Sequence, residues 1–144
     1  MQMQCQDLMK TEVETFREHD PVSAIARRML EVNIGFVPIC DPDGRPVGTL
    51  TDRDIALRVC AHDLRASETR ASDVMSREIV TCRETDDLEE AERLMARHHK
   101  SRMMIVDEDG RLQGVISLSD VVDEERDDRA AETMRLVAER EVRG

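Results

Sequence analysis

One stretch of this chain is written twice, at a constant offset of 66 residues. Asp7-Leu8-Met9 recurs as Asp73-Val74-Met75, Asp20 as Asp86, and Arg27 and Met29 as Arg93 and Met95. Asp41-Pro42-Asp43-Gly44-Arg45 recurs as Asp107-Glu108-Asp109-Gly110-Arg111, and the run from Gly48 to Asp54 recurs as Gly114 to Asp120. The alignment needs no gap. Two copies of one supersecondary unit usually bury their open faces against each other. A unit of about 60 residues is marginal alone, since it buries only about 60% of its unfolded surface. The expectation is therefore two halves sharing a core, with related clefts at their seam, and function is sought there.

Each copy carries the same sequence of local signals. Asp20-Pro21-Val22-Ser23 reads as a helix start with Asp20 as N-cap and Pro21 at the first helical position. Val22, Ile25, Ala26, Met29 and Leu30 form one apolar stripe. In the second copy Asp86 caps, Glu89 completes a capping box, and Leu88, Ala91, Leu94 and Met95 form the stripe. The helices end near Asn33-Ile34-Gly35 and His99-Lys100-Ser101. Two short apolar runs then flank an Asp-x-Asp-Gly turn in each copy, which predicts a hairpin. Thr51 and Ser117 stand where a strand becomes a helix. Val13 and Ile79-Val80 are expected to supply a short strand before each first helix, giving β-α-β-β-α twice. Residues 61–71 read as a polar linker. The charged tail, 124–144, reads as a helix with a partial apolar stripe.

Composition narrows the function classes. The formal net charge of −11 opposes binding to phosphate backbones and anionic lipid surfaces, both of which begin with cationic contacts. Phe16 and Phe36 are the only aromatic residues, too few for a base-stacking platform along a single strand. No run approaches the roughly 20 apolar residues of a membrane span, and the first ten residues lack a signal-peptide core. The expectation is a cytoplasmic protein that binds neither nucleic acid nor membrane. Cys5, Cys40, Cys60 and Cys82 show no C-x-x-C spacing. They read as unpaired thiols in a reducing compartment, with a redox pair left open, and with His98 and His99 they lack the spacing of a zinc site.

A repeated β-α-β-β-α unit with D-h-M at its head, an Asp-rich glycine turn and G-h-h-[T/S]-x-x-D at its end resembles the CBS domain. Two in tandem resemble a Bateman module of the stand-alone bacterial type. The resemblance implies an α+β fold of two CBS repeats, residues 5–60 and 72–123, packed by pseudo-two-fold symmetry, with a C-terminal helix. It also implies binding of an adenosine-containing ligand (AMP, ADP, ATP or S-adenosylmethionine) without turnover. No cofactor is required, and the nucleotide is a regulatory ligand taken alone or with Mg.

The residues implied as the site fit that chemistry. Gly48 and Gly114 let a ligand approach the backbone. Thr51 and Ser117, at helix starts, suit an anion such as phosphate, and Asp54 and Asp120 suit a ribose diol. A Thr or Ser cap with an Asp in the first turn also stabilises any helix, so each motif has two readings. By the family pattern Gly35, Phe36, Val37 and Pro38 face a ligand held by Ser117, Ser119 and Asp120. Ser101, Arg102, Met103 and Met104 face one held by Thr51 and Asp54. Phe36 with Met103 or Met104 either sandwiches the base or belongs to the core. Arg102, in the one basic run (His98 to Arg102), either reaches phosphate or complements a helix end. Arg53 brings a cation to the first copy. Met104 departs from the proline usual there, held by Pro38 in the first copy, and Glu14 is an unfavourable charge beside phosphate.

The chain is thus expected to be a regulatory sensor and not an enzyme. It has no G-x-S-x-G elbow, H-E-x-x-H pair or phosphate loop. Its output would pass to a protein effector in trans or through a homodimer whose candidate stripe is Ile55–Val59, Val121–Val122 and the tail from Ala130 to Val137. The alternative is a structural or stress-response interaction protein that acts through dimerisation without ligand.

Overall fold

The internal repeat survives in the backbone of the computed structural model, which describes residues 3–124 and 128–143. Short helix α1 spans Cys5–Leu8, α2 spans Val22–Val32, and strands β1 (Phe36–Cys40) and β2 (Pro46–Thr51) form an antiparallel hairpin. Helix α3 (Asp52–Ile55) runs on into a π-helical turn, Ala56–Cys60. After a 3-10 turn at Ala66–Glu68, the series recurs as α4 (Ala71–Val74), β3 (Thr81–Arg83), α5 (Leu88–His98), β4 (Arg102–Val106), β5 (Leu112–Ser117) and α6 (Leu118–Glu124). Helix α7 (Asp128–Arg143) closes the chain.

Four positive φ angles fall at matched positions. Gly44 and Gly110 have φ of 87° and 83°, and Asn33 and His99 have φ of 57° and 55°. The two glycines make the hairpin turns possible, because a Cβ disfavours that region. Each turn is tied by its first aspartate: Oδ1 of Asp41 accepts from the backbone N–H of Asp43 and Arg45, both at 2.9 Å, and Oδ1 of Asp107 accepts from Asp109 and Arg111, also at 2.9 Å. The left-handed residues Asn33 and His99 are the C-caps of α2 and α5.

Repeat in sequence and compact unit in space are cut at different places. One unit is Val13–Ile79; the other joins Met1–Glu12 to Val80–Gly144. The first unit therefore contains Asp73-Val74-Met75, and the second contains Asp7-Leu8-Met9. Each has its own core. That of the first is built from Val22, Ile25, Met29, Val37, Ile39, Leu50, Ala71 and neighbours. That of the second uses the residues 66 positions away: Leu88, Ala91, Met95, Met103, Ile105, Ile116 and, in the place of Ala71, Cys5.

Three local expectations are corrected. Asp20 and Asp86 are not N-caps. Their carboxylates accept from the backbone N–H of Arg17 and Arg83, both at 2.8 Å, closing the turn before the helix. The first helical N–H groups donate instead to carbonyls of the exchanged segment, Val22 to Thr69 and Leu88 to Met3, both at 2.8 Å. Those bonds satisfy helix-terminal donors that would otherwise call for a cap. Second, the strand before the second helix lies at Thr81–Arg83, parallel to β4, and in the first copy it shrinks to a single bridge, Phe16 to Ile39. Pro38 at the middle of β1 has no N–H with which to extend that pairing. Third, Leu30 is 82% exposed, outside the stripe that Val22, Ile25 and Met29 bury.

In the second unit α7 packs on α5 and α6. Val137 and Thr133 on α7 are buried, as is Glu92 on α5, at the position of Ala26 in the first copy. Val59, Val121 and Val137, expected on a dimer stripe, are thus used inside their own units. Ala130 and Ala131 lie outside the residues whose side chains the structure describes.

Candidate functional site

Each hairpin delivers its second strand into a helix through one turn, and that turn is built twice. In the first unit Thr51 Oγ1 accepts from the N–H of Asp54, and Asp54 Oδ2 accepts from the N–H of Thr51, both at 3.0 Å. In the second, Ser117 Oγ accepts from the N–H of Asp120 and Asp120 Oδ2 from that of Ser117, both at 3.2 Å. Ser119 Oγ lies 3.0 Å from Ser117 Oγ. The hydroxyl and one carboxylate oxygen of each pair are therefore engaged in reciprocal capping. The other oxygen, Oδ1, stands 3.8 Å from Arg58 Nη2 at Asp54 and 3.7 Å from Lys10 Nζ at Asp120. Both aspartate side chains are 18% exposed, within reach of water and of a small solute.

The strand entrance lies beside this turn within each unit. Phe36 pairs with Thr51 and Arg102 with Ser117 in the strand registers. The carbonyl of Gly35 accepts from Asp52 N–H at 3.0 Å, and that of Ser101 accepts from Leu118 N–H at 2.9 Å. A Cβ on Gly35 would meet the Asp52 carboxylate at 2.7 Å, so glycine is what lets these segments approach. The first unit thus brings together Gly35, Phe36, Thr51, Arg53 and Asp54; the second brings together Arg102, Ser117, Ser119 and Asp120. Val37, Pro38, Met103 and Met104 are buried, and the side chains of Val37 and Met103 belong to the two cores. Phe36 is half-buried and Arg102 exposed, the latter with Nη1 donating to the Ser101 carbonyl at 3.1 Å.

The charges around the turns differ. His99 of the basic run has its Nδ1 3.2 Å from the Leu136 carbonyl of α7, which commits it to the helix packing. Glu14 is paired with Arg28, and this hydrogen bond, followed by that of Glu31, pushes the guanidinium pKa up. Arg58 and Lys10 were not picked out from sequence. Arg58 is legible in hindsight as the i+4 partner of Asp54 on one helical face; Lys10 reaches Asp120 through the tertiary fold and has no local signal. Gly48 and Gly114 face protein, not solvent: a Cβ on Gly48 would meet Met75 and the Ser76 carbonyl, and one on Gly114 would meet Met9 and the Lys10 carbonyl. Among the described residues no three His, Cys, Asp or Glu side chains are grouped as a metal ion would need, and no described helix is long and apolar enough to cross a membrane.

Two hairpins that each end in a capped G-h-h-[T/S]-x-x-D turn define a CBS pair, and the chain belongs to the CBS domain family, whose profile matches residues 5–60 and 71–127. Among its relatives is the CBS domain-containing protein YhcV of Bacillus subtilis, 39% identical over 115 residues, 80% of each chain. Hypoxic response protein 1 of Mycobacterium tuberculosis is 31% identical over 115 residues, again 80% of each. A crystal structure of Hypoxic Response Protein I with two coordinated zinc ions superposes with a TM-score of 0.77 at 29% identity, covering 85% of this chain and 99% of that one. The cytosolic domain of the Mg2+ channel MgtE in complex with ATP has a TM-score of 0.74 at 29% identity, covering 85% of this chain and 48% of that one.

Proposed function

We propose that the chain is a regulatory module that binds an adenosine-containing nucleotide, AMP, ADP, ATP or S-adenosylmethionine, without turning it over. The observation that carries the reading is the duplicated turn. Asp54 and Asp120, whose side chains are 18% exposed, each keep one carboxylate oxygen outside the reciprocal cap, beside a helix start, a hydroxyl and a strand entrance. Such an oxygen accepts a hydrogen bond from a ribose hydroxyl, and the neighbouring cations favour phosphate. Arg53 and Arg58 serve the first unit; Arg102 and Lys10 serve the second, where Ser119 adds a hydroxyl. The backbone around Val37, Pro38, Met103 and Met104, with Phe36, borders the base. The ATP complex of the 29%-identical MgtE domain supports the ligand class. Mg would accompany a polyphosphate as part of the ligand. Calorimetry and thermal shift with AMP, ATP and S-adenosylmethionine at millimolar concentration test the reading, since a ligand that binds only the folded state raises the midpoint. Neither heat nor shift with any of them overturns it and leaves an interaction protein that works without ligand.

We infer further that the module works in the cytoplasm as a homodimer and acts on a protein effector in trans. Leu30 is 82% and Leu57 50% exposed in the first unit, whereas α7 covers the corresponding helix α5 in the second. An apolar helix face left bare in one unit and covered in the other favours a second copy as its cover.

A further inference from the structure

We propose that Cys5 and Cys82 are the site of a reversible intramolecular disulfide, formed by exchange with a low-molecular-weight disulfide, which fastens the amino-terminal segment to the second unit. The two thiols come from distant parts of the sequence, the first turn of α1 and the middle of β3. They lie in one core cluster, 0% and 3% exposed, and Cys5 is the largest influence on the Cys82 thiol. The backbone holds them there. Cys5 N–H donates to the Asp86 carbonyl and Gln6 N–H to that of Glu84, both at 2.9 Å, so the start of α1 is pinned to the chain that leaves β3. Cys5 Sγ lies 3.9 Å from the Asp87 carbonyl oxygen.

The first copy is an internal control. At the matching positions it carries Ala71 and Phe16, held by the same backbone bond, Ala71 N–H to the Asp20 carbonyl at 2.9 Å. Alanine and phenylalanine fill that space in the first core. Packing at this place therefore does not call for sulfur, and a thiol pair in the second copy adds a chemistry that the first lacks.

Access comes from a cavity of about 440 Å³ lined by Thr81, Cys82, Arg83, Asp86, Asp107 and Gly110, among others. Cys82 is among its lining residues and Cys5 is not, so Cys82 is taken as the entry thiol. Its thiolate attacks one sulfur of the small disulfide, the S–S bond breaks, and the departing thiolate takes up a proton. Deprotonated Cys5 then attacks the Cys82 sulfur of the mixed disulfide and displaces the second small thiol. Two protein thiols are oxidised and one small disulfide is reduced to two thiols. The contact with Cys5 and the burial hold the Cys82 thiol well above its ordinary range, so exchange is slow at neutral pH and quickens as pH rises. The fastened segment continues to Met9, beneath Gly114, and to Lys10, beside Asp120.

The test uses the full chain with Cys60→Ser, which removes an exposed thiol that would compete for the oxidant. The protein is equilibrated in glutathione buffers from fully reducing to fully oxidising, remaining thiols are alkylated, and non-reduced peptides are analysed by mass spectrometry. The expected product links the Cys5 and Cys82 peptides, disappears on reduction, and raises the thermal midpoint by roughly 5–15 °C. Cys5→Ala, the residue of the first copy, should keep the fold and abolish both the link and the shift. Absence of the linked peptide at the oxidising limit, or only intermolecular products or a stable glutathione adduct on Cys82, overturns the proposal.

Discussion

A side-chain carbon on Gly48 would stand 2.5 Å from Sδ of Met75, and one on Gly114 would stand 2.8 Å from Sδ of Met9. The methionine of D-h-M and the glycine of G-h-h-[T/S]-x-x-D are thus two sides of one contact, made once in each unit. Beside it the exchanged segment pairs with β2 or β5: Thr49 and Ser76 exchange backbone bonds at 2.9 and 2.8 Å, and Lys10 and Val115 exchange two at 3.0 Å. The glycines let one backbone lie on another.

Gly48→Ala and Gly114→Ala should therefore destabilise the protein without touching any ligand group, each by about 1–3 kcal/mol, the usual cost of overpacking. Met75→Ala should recover only part of the Gly48→Ala loss, because the Ser76 carbonyl, 2.9 Å from the added carbon, cannot retreat as a thioether can. Denaturant unfolding of the single and double variants measures this; a fully additive pair would show that methionine and glycine do not meet.

The reciprocal caps give a second prediction, in which stability and binding separate. Ser117→Ala and Asp120→Ala each remove part of one cap and should cost about 0.5–2 kcal/mol. Asp120→Ala should in addition weaken nucleotide binding about 10- to 100-fold, the loss of a charge-assisted hydrogen bond of about 1.5–3 kcal/mol, and Asp54→Ala is the matched probe in the first unit. Lys10→Ala should barely change stability, because an exposed ion pair contributes little, yet weaken binding of a phosphate-bearing ligand about 10-fold, the loss of a charge-assisted contact of about 1.5 kcal/mol. If both aspartate variants bind as the parent does, the carboxylates are caps and nothing more.

Much of this was legible because the repeat is ungapped. The constant offset identified the hairpins, their glycine turns and the paired turns at Thr51 and Ser117, since all are local structures encoded within a few residues. What periodicity could not show is which copy of D-h-M packs on which hairpin. The 66-residue offset states that Met9 and Met75 are equivalent; it is silent on their exchange between units. The same blindness explains the reading of Asp20 and Asp86 as caps. Their spacing fits, but Thr69 and Met3, from the exchanged segments, already satisfy the helix donors. The glycines of G-h-h-[T/S]-x-x-D looked like openings for a ligand for that reason too: the segment that covers them is far away in sequence.

Cys40 at the end of β1 provides a third test. Burial, with a smaller contribution from Asp41, lifts its thiol from an ordinary 9.0 to about 11. A raised folded-state pKa means that the native thiol keeps its proton while the unfolded one loses it. The associated stability is therefore complete below pH 9 and falls as pH rises from about 9 to about 11, by about 2–3 kcal/mol. Cys40→Val should flatten that part of the alkaline stability profile. An unchanged slope in the variant would place the titration elsewhere.

The last prediction concerns how α7 directs assembly. In the second unit α7 lies on α5 and buries Val137; in the first, Leu30 on α2 is 82% exposed and Leu57 on the π-helical turn 50% exposed. A dimer that covers the first unit's face should bury upward of about 1,000 Å² in total, and light scattering of the full chain should return twice the monomer mass. Leu30→Glu with Leu57→Glu should reduce that to one chain at unchanged secondary structure, because a carboxylate cannot be desolvated there without a partner. Val137→Ala should act differently. It removes part of a buried contact and costs stability, up to about 1.5–3 kcal/mol, but leaves the dimer mass intact. Truncation after Val122 separates the two roles further. If α7 is only the cover of α5, removing it bares a second apolar face and should drive the chain to larger assemblies. A truncated chain that runs as a monomer would instead make α7 the dimer contact and leave Leu30 and Leu57 for another partner.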